Sequence, residues 1–298
     1  MAALAVPCLV AVLVPGPVAA SDTPGFGLQV SPTRLVVPQG TISTARTFKI
    51  ANKGRSPFVV TVEASDFTSN TDGALKFLAD APFAASSWAS VSPSRFAVPP
   101  GATRNVKLEL SIPEDPEPGD HQFALIFKVP AGRGAANIRI NRGIAAPVYV
   151  TVPGPVDSSV RVAGLHAPDF VLGGPVRLTA RIQDTGTVHR DFRGPGRLGI
   201  RAGGARVAFP DFTVPRGSTR EVQATWNPPL LCVCHARLSL PGRVAEPATA
   251  TVRVIVLPLH LFGAVLGGLA VVLVIAWFAR RRYRNSVRIA AEEIAGGR

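Results

Sequence analysis

The stretch that decides the architecture is LHLFGAVLGGLAVVLVIAWF, residues 259–278. At a rise of about 1.5 Å per residue, a helix of this length spans about 30 Å, the thickness of the hydrocarbon core of a bilayer. A helix also satisfies its own backbone polar groups, as a span through lipid requires. Because no other stretch of the chain is as long and as apolar, the sequence predicts a single transmembrane helix over residues 259–278.

The charges on either side of this helix predict its orientation. Four arginines follow the apolar stretch, whereas residues 254–258 before it carry no charge. Basic residues that flank a membrane span are found preferentially on its cytoplasmic side. The sequence therefore predicts a single-pass protein of the cell membrane, with an extracellular N-terminal part and a basic cytoplasmic tail over residues 279–298. The arginines expected to anchor this tail are Arg280, Arg281, Arg282 and Arg284.

The N-terminus has the features of a secretory signal peptide. An apolar run over residues 2–14 is followed by a Pro-Gly pair and by Val18, Ala19 and Ala20. Small residues at this spacing are those that signal peptidase cleaves. The sequence thus predicts a cleaved signal peptide over residues 1–20.

The composition of the extracellular part favours strands. The chain holds 28 Gly and 28 Pro but only one Met, and short runs of alternating apolar and polar residues are separated by turn signals. We therefore expect an all-β fold of two tandem immunoglobulin-like β-sandwich domains, residues 26–153 and 156–257, followed by the single C-terminal transmembrane α-helix. The strands are expected at 28–30, 34–37, 45–51, 58–64, 88–91, 95–98, 105–112, 122–129, 138–152, 161–165, 176–184, 196–202, 207–214, 219–226, 232–240 and 249–257.

The charge distribution excludes one class of partner and suggests others. The net charge of +13 is spread along the chain, and residues 154–257 hold 13 basic against 7 acidic residues. A nucleic-acid-binding protein would show a clustered basic stripe and a reading motif, and export argues against that function. A basic extracellular surface suits an anionic wall polymer or lipid headgroups, and a solvated surface without a partner is the alternative.

The cysteines give one candidate crosslink. Cys232 and Cys234 remain once the signal peptide is removed, and an exported protein meets an oxidising compartment. Residues two apart in a regular strand have Cα atoms about 6.6 Å apart, so a disulfide would need a local distortion. His235 follows directly, but no fourth ligand stands at a metal-binding spacing, so no metal or other cofactor is predicted.

Catalytic motifs are absent from the sequence. The chain has five His and no Gly-x-Ser-x-Gly nucleophile elbow. Residues 194–199 match Gly-x-Gly-x-x-Gly, but the residues that follow have no helical period to receive a pyrophosphate, so we interpret this motif as a loop. The sequence predicts a protein that is not an enzyme.

Eight short motifs lie along residues 28–130. They are residues 31–34 (SPTR), 48–54 (FKIANKG), 64–67 (ASDF), 72–73 (DG), 87–93 (SWASVSP), 98–101 (VPPG), 112–115 (IPED) and 118–121 (PGDH). These motifs resemble the start of the bacterial surface proteins called WxL-interacting proteins. In that family, a signal peptide precedes an immunoglobulin-like peptidoglycan-binding domain, a second sandwich that binds WxL proteins, a transmembrane helix and a basic tail. The resemblance implies a non-enzymatic, membrane-anchored surface protein that binds a cell-wall polymer, peptidoglycan, or a wall-associated protein.

A second resemblance implies a different function. Residues 31–36 (SPTRLV) and 137–142 (NIRINR) are similar to the first domain of pilus chaperones. In those proteins, paired basic residues hold the terminal carboxylate of a client while an exposed strand edge pairs with it. The alternative function is therefore capture of secreted subunits by strand addition, with Arg34 and Arg142 as the carboxylate-binding residues. The sequence leaves the oligomeric state open.

Overall fold

The computed structural model describes residues 24–130, 141–242 and 244–295, and the predicted signal peptide lies outside them. The described chain is mostly β, with several sheets and one C-terminal helix. Residues 24–153, here called the first half, hold β1 (Leu28–Ser31), β2 (Leu35–Val37), β3 (Arg46–Asn52), β4 (Phe58–Ser65), β5 (Phe67–Ser69), β6 (Leu75–Phe77), β7 (Ala89–Ser92), β8 (Arg95–Val98), β9 (Thr103–Leu110), β10 (Gly119–Val129) and β11 (Arg142–Val152).

The second half, residues 154–257, is built in the same way from shorter strands. Its strands are β12 (Val160–His166), β13 (Phe170–Val171), β14 (Val176–Asp184), β15 (Arg190–Phe192), β16 (Gly199–Ala202), β17 (Ala205–Ala208), β18 (Phe212–Val214), β19 (Thr219–Trp226), β20 (Cys232–Ser239) and β21 (Thr249–Val256). The helix α1 follows over Leu259–Ala295.

Two sheets of the first half face each other across one apolar core. One has the order β1-β3-β9-β7 and the other β2-β11-β10-β4-β8. Alternate residues of the strands point inward, as in Arg46–Asn52, where Phe48 and Ile50 are fully buried while Thr47 and Lys49 are exposed. Phe123 and Phe127 of β10 meet them from the opposite sheet, so the arrangement is sandwich-like.

The second half has a separate core. Its sheets have the orders β12-β14-β19 and β13-β21-β20-β16-β17, with β15 and β18 as a further pair. Leu178 and Ile182 of β14 and Phe192 of β15 are fully buried in this core. Among the described residues, the core clusters of the two halves have no residue in common.

Several predicted strand bounds differ from those in the structure. The strand predicted at 207–214 is two strands, β17 and β18, separated by a break at Pro210, and β5, β6, β13 and β15 were not predicted. These strands have two to four residues each, too few to show an alternating period. The motif at residues 194–199 forms a 3₁₀ turn over Gly194–Gly196 before β16, which is the loop that the sequence predicts.

The helix α1 is apolar but longer than the predicted span. It does not end at residue 278 but continues to Ala295, and Leu261–Arg284 is long and apolar enough to cross a membrane. None of that apolar surface is covered by the rest of the described chain. At about 1.5 Å per residue, the helix is about 55 Å long, so one end must extend well beyond any bilayer core.

Candidate functional site

The two halves meet at a cluster of polar residues whose centre is Asp120. This carboxylate is fully buried at the start of β10 and accepts hydrogen bonds from the Thr151 hydroxyl at 2.6 Å and from the backbone N–H of His189 at 2.7 Å. It also pairs with Nδ1 of the His189 ring. Asp120 belongs to the first half and His189 to the second, so this network joins the halves.

His189 carries a positive charge in this setting. Burial by itself would lower its pKa, but the hydrogen bonds and charges of Asp120 and Asp191 raise the pKa of His189 to about 9. Burial likewise opposes ionisation of Asp120, yet the contacts with His189 and Thr151 hold the pKa of Asp120 below its usual value. The pair is therefore a buried ion pair at neutral pH.

Arg34 extends the cluster to the protein surface. Its guanidinium donates to Oδ2 of Asp191 at 3.0 Å and lies over the ring of Tyr149, with Cζ 5.0 Å from the ring centroid. Tyr149 in turn stacks on the His189 ring at a centroid distance of 4.7 Å. Burial raises the pKa of the Tyr149 hydroxyl to about 12, so Tyr149 stays neutral between the charges. Nε of Arg34 is buried and has no hydrogen-bond partner among the described residues.

A second ion pair crosses the same junction. Arg216 of the second half is buried, pairs with Glu117 of the first and lies 3.9 Å from the ring centroid of Phe83. The backbones are in direct contact here, because a Cβ at Gly119, whose φ is +107°, would lie 2.4 Å from the carbonyl oxygen of Thr187. Only glycine permits this approach.

Asp184 is a further buried carboxyl beside this junction. Its Oδ1 accepts a hydrogen bond from the backbone N–H of Gly217 at 3.3 Å, whereas Oδ2 is buried and has no hydrogen-bond partner in the part of the chain that the structure describes. Burial, with a smaller effect of Asp120, raises the pKa of Asp184 to about 7. Asp184 is therefore partly protonated at neutral pH.

The cluster contains an Asp–His pair like that of a catalytic dyad, but its imidazole is not positioned to contact a nucleophile. An Asp–His pair orients an imidazole when the other ring nitrogen faces a nucleophile. Here Nε2 of His189 faces the carboxylate of Asp191, at 3.7 Å. Both ring nitrogens face carboxylates, so neither is available to take a proton from a hydroxyl or thiol. The arrangement fixes the two halves and does not activate a nucleophile.

An open strand edge begins at this cluster. β11 pairs with β10 over its whole length, but on its other side it pairs only with β2, through Val148, Tyr149 and Val150. In the part of the chain that the structure describes, no strand is hydrogen-bonded to residues 142–147 on that side, although β1 lies close to β11. Pro147, which lacks an N–H, fits such an edge. The open edge of β11, residues 142–147, thus runs from the junction toward the far end of the first half.

The two arginines of the predicted carboxylate site lie apart. Arg34 directly precedes β2 and stands beside Tyr149. Arg142 lies six residues before Val148 of β11, and Val148 pairs with Leu35, the residue after Arg34. The backbones at Arg142 and Arg34 are therefore separated by about 20 Å along the strand. The Arg142 guanidinium lies 4.6 Å from the ring centroid of Phe26. The structure therefore brings Arg34, but not Arg142, to the junction end of the open edge.

The other predicted residues lie far from this site. Cys232 and Cys234 are joined by a disulfide, and their Cα atoms are 5.4 Å apart, closer than in a regular strand. The guanidinium of Arg281 lies 5.4 Å from the ring of Trp277. All the predicted tail arginines are exposed on α1, and they are Arg280, Arg281, Arg282 and Arg284.

The sequence did not indicate the junction residues as a site. Asp120 and His189 are 69 residues apart and belong to different halves, so no local spacing relates them. The one signal was that both lie in segments with turn chemistry, Pro-Gly-Asp-His at 118–121 and Asp-Thr-Gly-Thr-Val-His at 184–189. Identifying them as partners requires the three-dimensional arrangement.

Comparisons with known proteins do not assign this chain to a family. It matches no family model and no curated protein. Among solved structures, the YadV chaperone is 10% identical with a TM-score of 0.41, over 76% of this chain and 99% of its own. The Pseudomonas aeruginosa CupB2 chaperone is 12% identical (TM-score 0.40; 76% and 100% covered), and the E. coli chaperone DraB is 15% identical (TM-score 0.39; 72% and 91% covered). Similarities of this size are too low to transfer a function.

Proposed function

We propose that this protein is a non-enzymatic, membrane-anchored binding protein that captures an extended segment of a secreted protein along the open edge of β11. The observation that carries the proposal is the six-residue edge, 142–147, to which no strand is hydrogen-bonded on that side among the described residues. Unpaired backbone N–H and C=O groups are the surface on which an added strand forms. The edge is also anchored on its other side, because β10 pairs with every residue of β11.

Arg34 would provide the end point for such a strand. It stands where the open edge meets β2, is only partly exposed and has one N–H, at Nε, without a partner. Arginine pairs with carboxylates through two parallel hydrogen bonds. The carboxylate now on Arg34 belongs to Asp191 of the same chain. A client with a free C-terminal carboxylate would take the place of Asp191.

The setting of this site completes the proposal. The two halves are two tandem immunoglobulin-like sandwiches on the outer side of the membrane, α1 crosses the bilayer, and its basic end is cytoplasmic. Supporting this are the separate cores of the halves, the uncovered apolar surface of Leu261–Arg284 and the arginines that follow it. Membership of the WxL-interacting family and export by the N-terminal signal remain part of the same proposal.

Peptide capture tests the proposed function. We expect full-length protein in phosphatidylcholine nanodiscs to retain a pool of twelve-residue extended peptides with free carboxyl termini better than the amidated pool. Bound peptide should slow amide hydrogen exchange at residues 142–146, because the exposed N–H groups gain partners. Arg34→Ala should remove most of the preference for the free acid, about a tenfold effect for one charge-assisted contact.

A matched variant controls for the loss of a positive charge. Arg95→Ala removes an exposed arginine from β8, the opposite edge strand of the same sheet, and should leave the preference unchanged. If exchange at residues 142–146 is the same with and without either peptide pool, the strand-addition proposal is wrong.

One observation favours a second function, binding of an anionic wall polymer. Arg206, Arg201 and Arg237 are cross-strand neighbours on β17, β16 and β20, and with Gly199 and Ser239 they line a cavity of about 200 Å³. These three strands and β21 carry no acidic residue. Like charges opposite each other in a sheet destabilise it, and an anion would relieve that repulsion. We call these three residues the arginine row.

Sedimentation with purified peptidoglycan tests this second function. We expect full-length protein in the same nanodiscs to co-sediment with it at low salt and to be released at high salt. The double substitution Arg201→Gln and Arg237→Gln should weaken binding about tenfold, since it removes two charged contacts. Arg161→Gln with Arg177→Gln, on β12 and β14 of the other sheet, removes the same two charges from exposed positions and should have little effect. Equal binding by both variants would exclude the arginine row as the polymer site.

A further inference from the structure

Exposed apolar side chains collect at the end of the second half from which α1 emerges. Nine large hydrophobic residues outside α1 are exposed in the described chain, and five of them lie in two segments beside β21. Leu230, Leu231 and Val233 are the most exposed of the nine, at 71%, 62% and 63%. The five residues, here called the apolar rim, are Phe170, Leu172, Leu230, Leu231 and Val233.

The strand register places the apolar rim around the start of the helix. Ile255 of β21 pairs with Phe170 of β13 on one side and with Val233 of β20 on the other. The backbone N–H of Leu257 donates to the carbonyl of Val171 at 3.0 Å. Since α1 begins two residues later, the apolar rim flanks the last strand within a few residues of the helix.

The apolar rim does not belong to the core. In β20 the side chains alternate, and Cys234 faces the core whereas Val233 faces out. The segments 170–175 (FVLGGP) and 227–233 (NPPLLCV) contain no charged residue. The Cys232–Cys234 disulfide encloses Val233 and so constrains the segment that presents it. Exposed, uncharged and apolar surface of this kind marks contact with a protein or a membrane.

The junction between the halves lies at the opposite end of the second half. β19 starts at Thr219, paired with Gln183 near the junction, and ends at Trp226, next to the segment that carries Leu230. The apolar rim therefore faces away from the first half and toward α1. A membrane crossed by α1 would begin at this end of the second half.

We propose that the apolar rim is embedded in the outer headgroup and acyl boundary of the bilayer that α1 crosses. The inference rests on the proposed membrane anchor, and it is independent of what β11 captures. Apolar side chains at this depth gain by leaving water while the neighbouring backbone stays hydrated. With α1 as one attachment and the rim as a second, the outer part of the protein has a fixed orientation on the membrane.

Lipid-borne quenching tests this proposal on the full chain. Leu172→Cys carries a polarity-sensitive fluorophore on the rim, and Val59→Cys carries it at an equally apolar, exposed site on β4 of the first half. In liposomes whose lipids bear a nitroxide near the headgroup, we expect quenching at position 172 at least about twice that at position 59. Labelling of the unsubstituted chain gives the background from native cysteines.

A second variant links the quenching to the rim itself. Leu230→Asp with Leu231→Asp places two carboxylates in the proposed boundary and should reduce the quenching of the label at position 172 toward that at position 59. Equal quenching at both positions in protein that floats with the liposomes would overturn the proposal. So would a label shielded from both iodide and nitroxide, since its cover would then be a protein surface, such as a second copy of the chain.

Flotation separates failure of the anchor from failure of the rim. Protein that does not float with the liposomes lacks the anchor, and the proposal for the rim then falls with it. Protein that floats but captures no peptide refutes strand addition and leaves the rim unaffected. The anchor, strand addition and the apolar rim are therefore tested by three independent measurements, which are flotation, peptide capture and quenching.

Discussion

Asp120→Ala is expected to destabilise the protein by about 3–5 kcal/mol, the cost of removing one member of a buried ion pair. The substitution leaves the Thr151 hydroxyl and the backbone N–H of His189 without their acceptor, and it leaves His189 buried without its principal counter-charge. Urea unfolding of full-length protein in detergent would measure the loss. Trp88 reports on the first half and Trp226 on the second, once Trp277 of α1 has been replaced by Phe.

The pH dependence gives this prediction a second readout. The folded pKa of His189, about 9, lies above the usual value of 6.5. Its contribution is therefore fully present below pH 6.5 and is lost as pH rises through 9. We expect the protein to lose up to about 3 kcal/mol of stability between pH 7 and pH 9.5. Asp120→Ala should remove most of that loss, since His189 no longer gains a proton on folding.

Asp66→Ala is the matched control for Asp120→Ala. Asp66 also accepts three hydrogen bonds, from the backbone N–H groups of Ala85 and Ser86 and from the Ser86 hydroxyl, but it lies within the first half. Asp66→Ala should destabilise the first half, as measured by Trp88 fluorescence. It should leave the loss of stability between pH 7 and pH 9.5 unchanged. If Asp120→Ala retained the full pH dependence, the ion pair would not be its origin.

Two arginines in the middle of α1 are expected to abolish membrane insertion. At the centre of a span each costs about 2.5–3.5 kcal/mol, so Val271→Arg with Val272→Arg offsets the several kcal/mol that the apolar residues contribute. Both positions are exposed on the helix and near the middle of Leu261–Arg284, so no internal packing is lost. The protein should move from the carbonate-resistant membrane fraction to the soluble fraction.

The control keeps the positions apolar. Val271→Leu with Val272→Leu preserves the hydropathy of the helix and should leave the protein in the membrane fraction. Retention of the doubly arginine-substituted chain in carbonate-washed membranes would show that α1 is not what attaches the protein, and the proposed anchor would be wrong.

Local chemistry predicted most of the strands. For several strands of seven or more residues with alternating burial, such as Arg46–Asn52 and Val176–Asp184, the predicted bounds are correct to within one residue. Thr103–Leu110 was predicted two residues too late, at 105–112. Very short strands such as Phe170–Val171 exist because a long neighbour, β21, holds them in register. Their own residues carry no period, and the pairing that creates them is distant in sequence.

The junction could not be predicted for a different reason. Ion pairs across two halves depend on which loop ends face each other, and that depends on the packing of both cores. Arg34 was predicted from a motif, and the structure gives it a partner, Asp191, that lies 157 residues away. A motif also predicted that Arg142 binds the carboxylate together with Arg34. In the structure, the length of β11 separates Arg142 from Arg34.

If α1 crosses a membrane as proposed, the short joint between β21 and α1 would set the distance between the open edge of β11 and the lipid. Only Leu257 and Pro258 separate the strand from the helix, so there is no stalk to vary the height. The second half is about 25 Å tall along the eight residues of β19, and the edge of β11 starts beyond it. A substrate still tethered to the same membrane would have to extend by at least about eight residues before it could be captured. The second half would therefore act as a spacer that selects clients by the reach of their tethers.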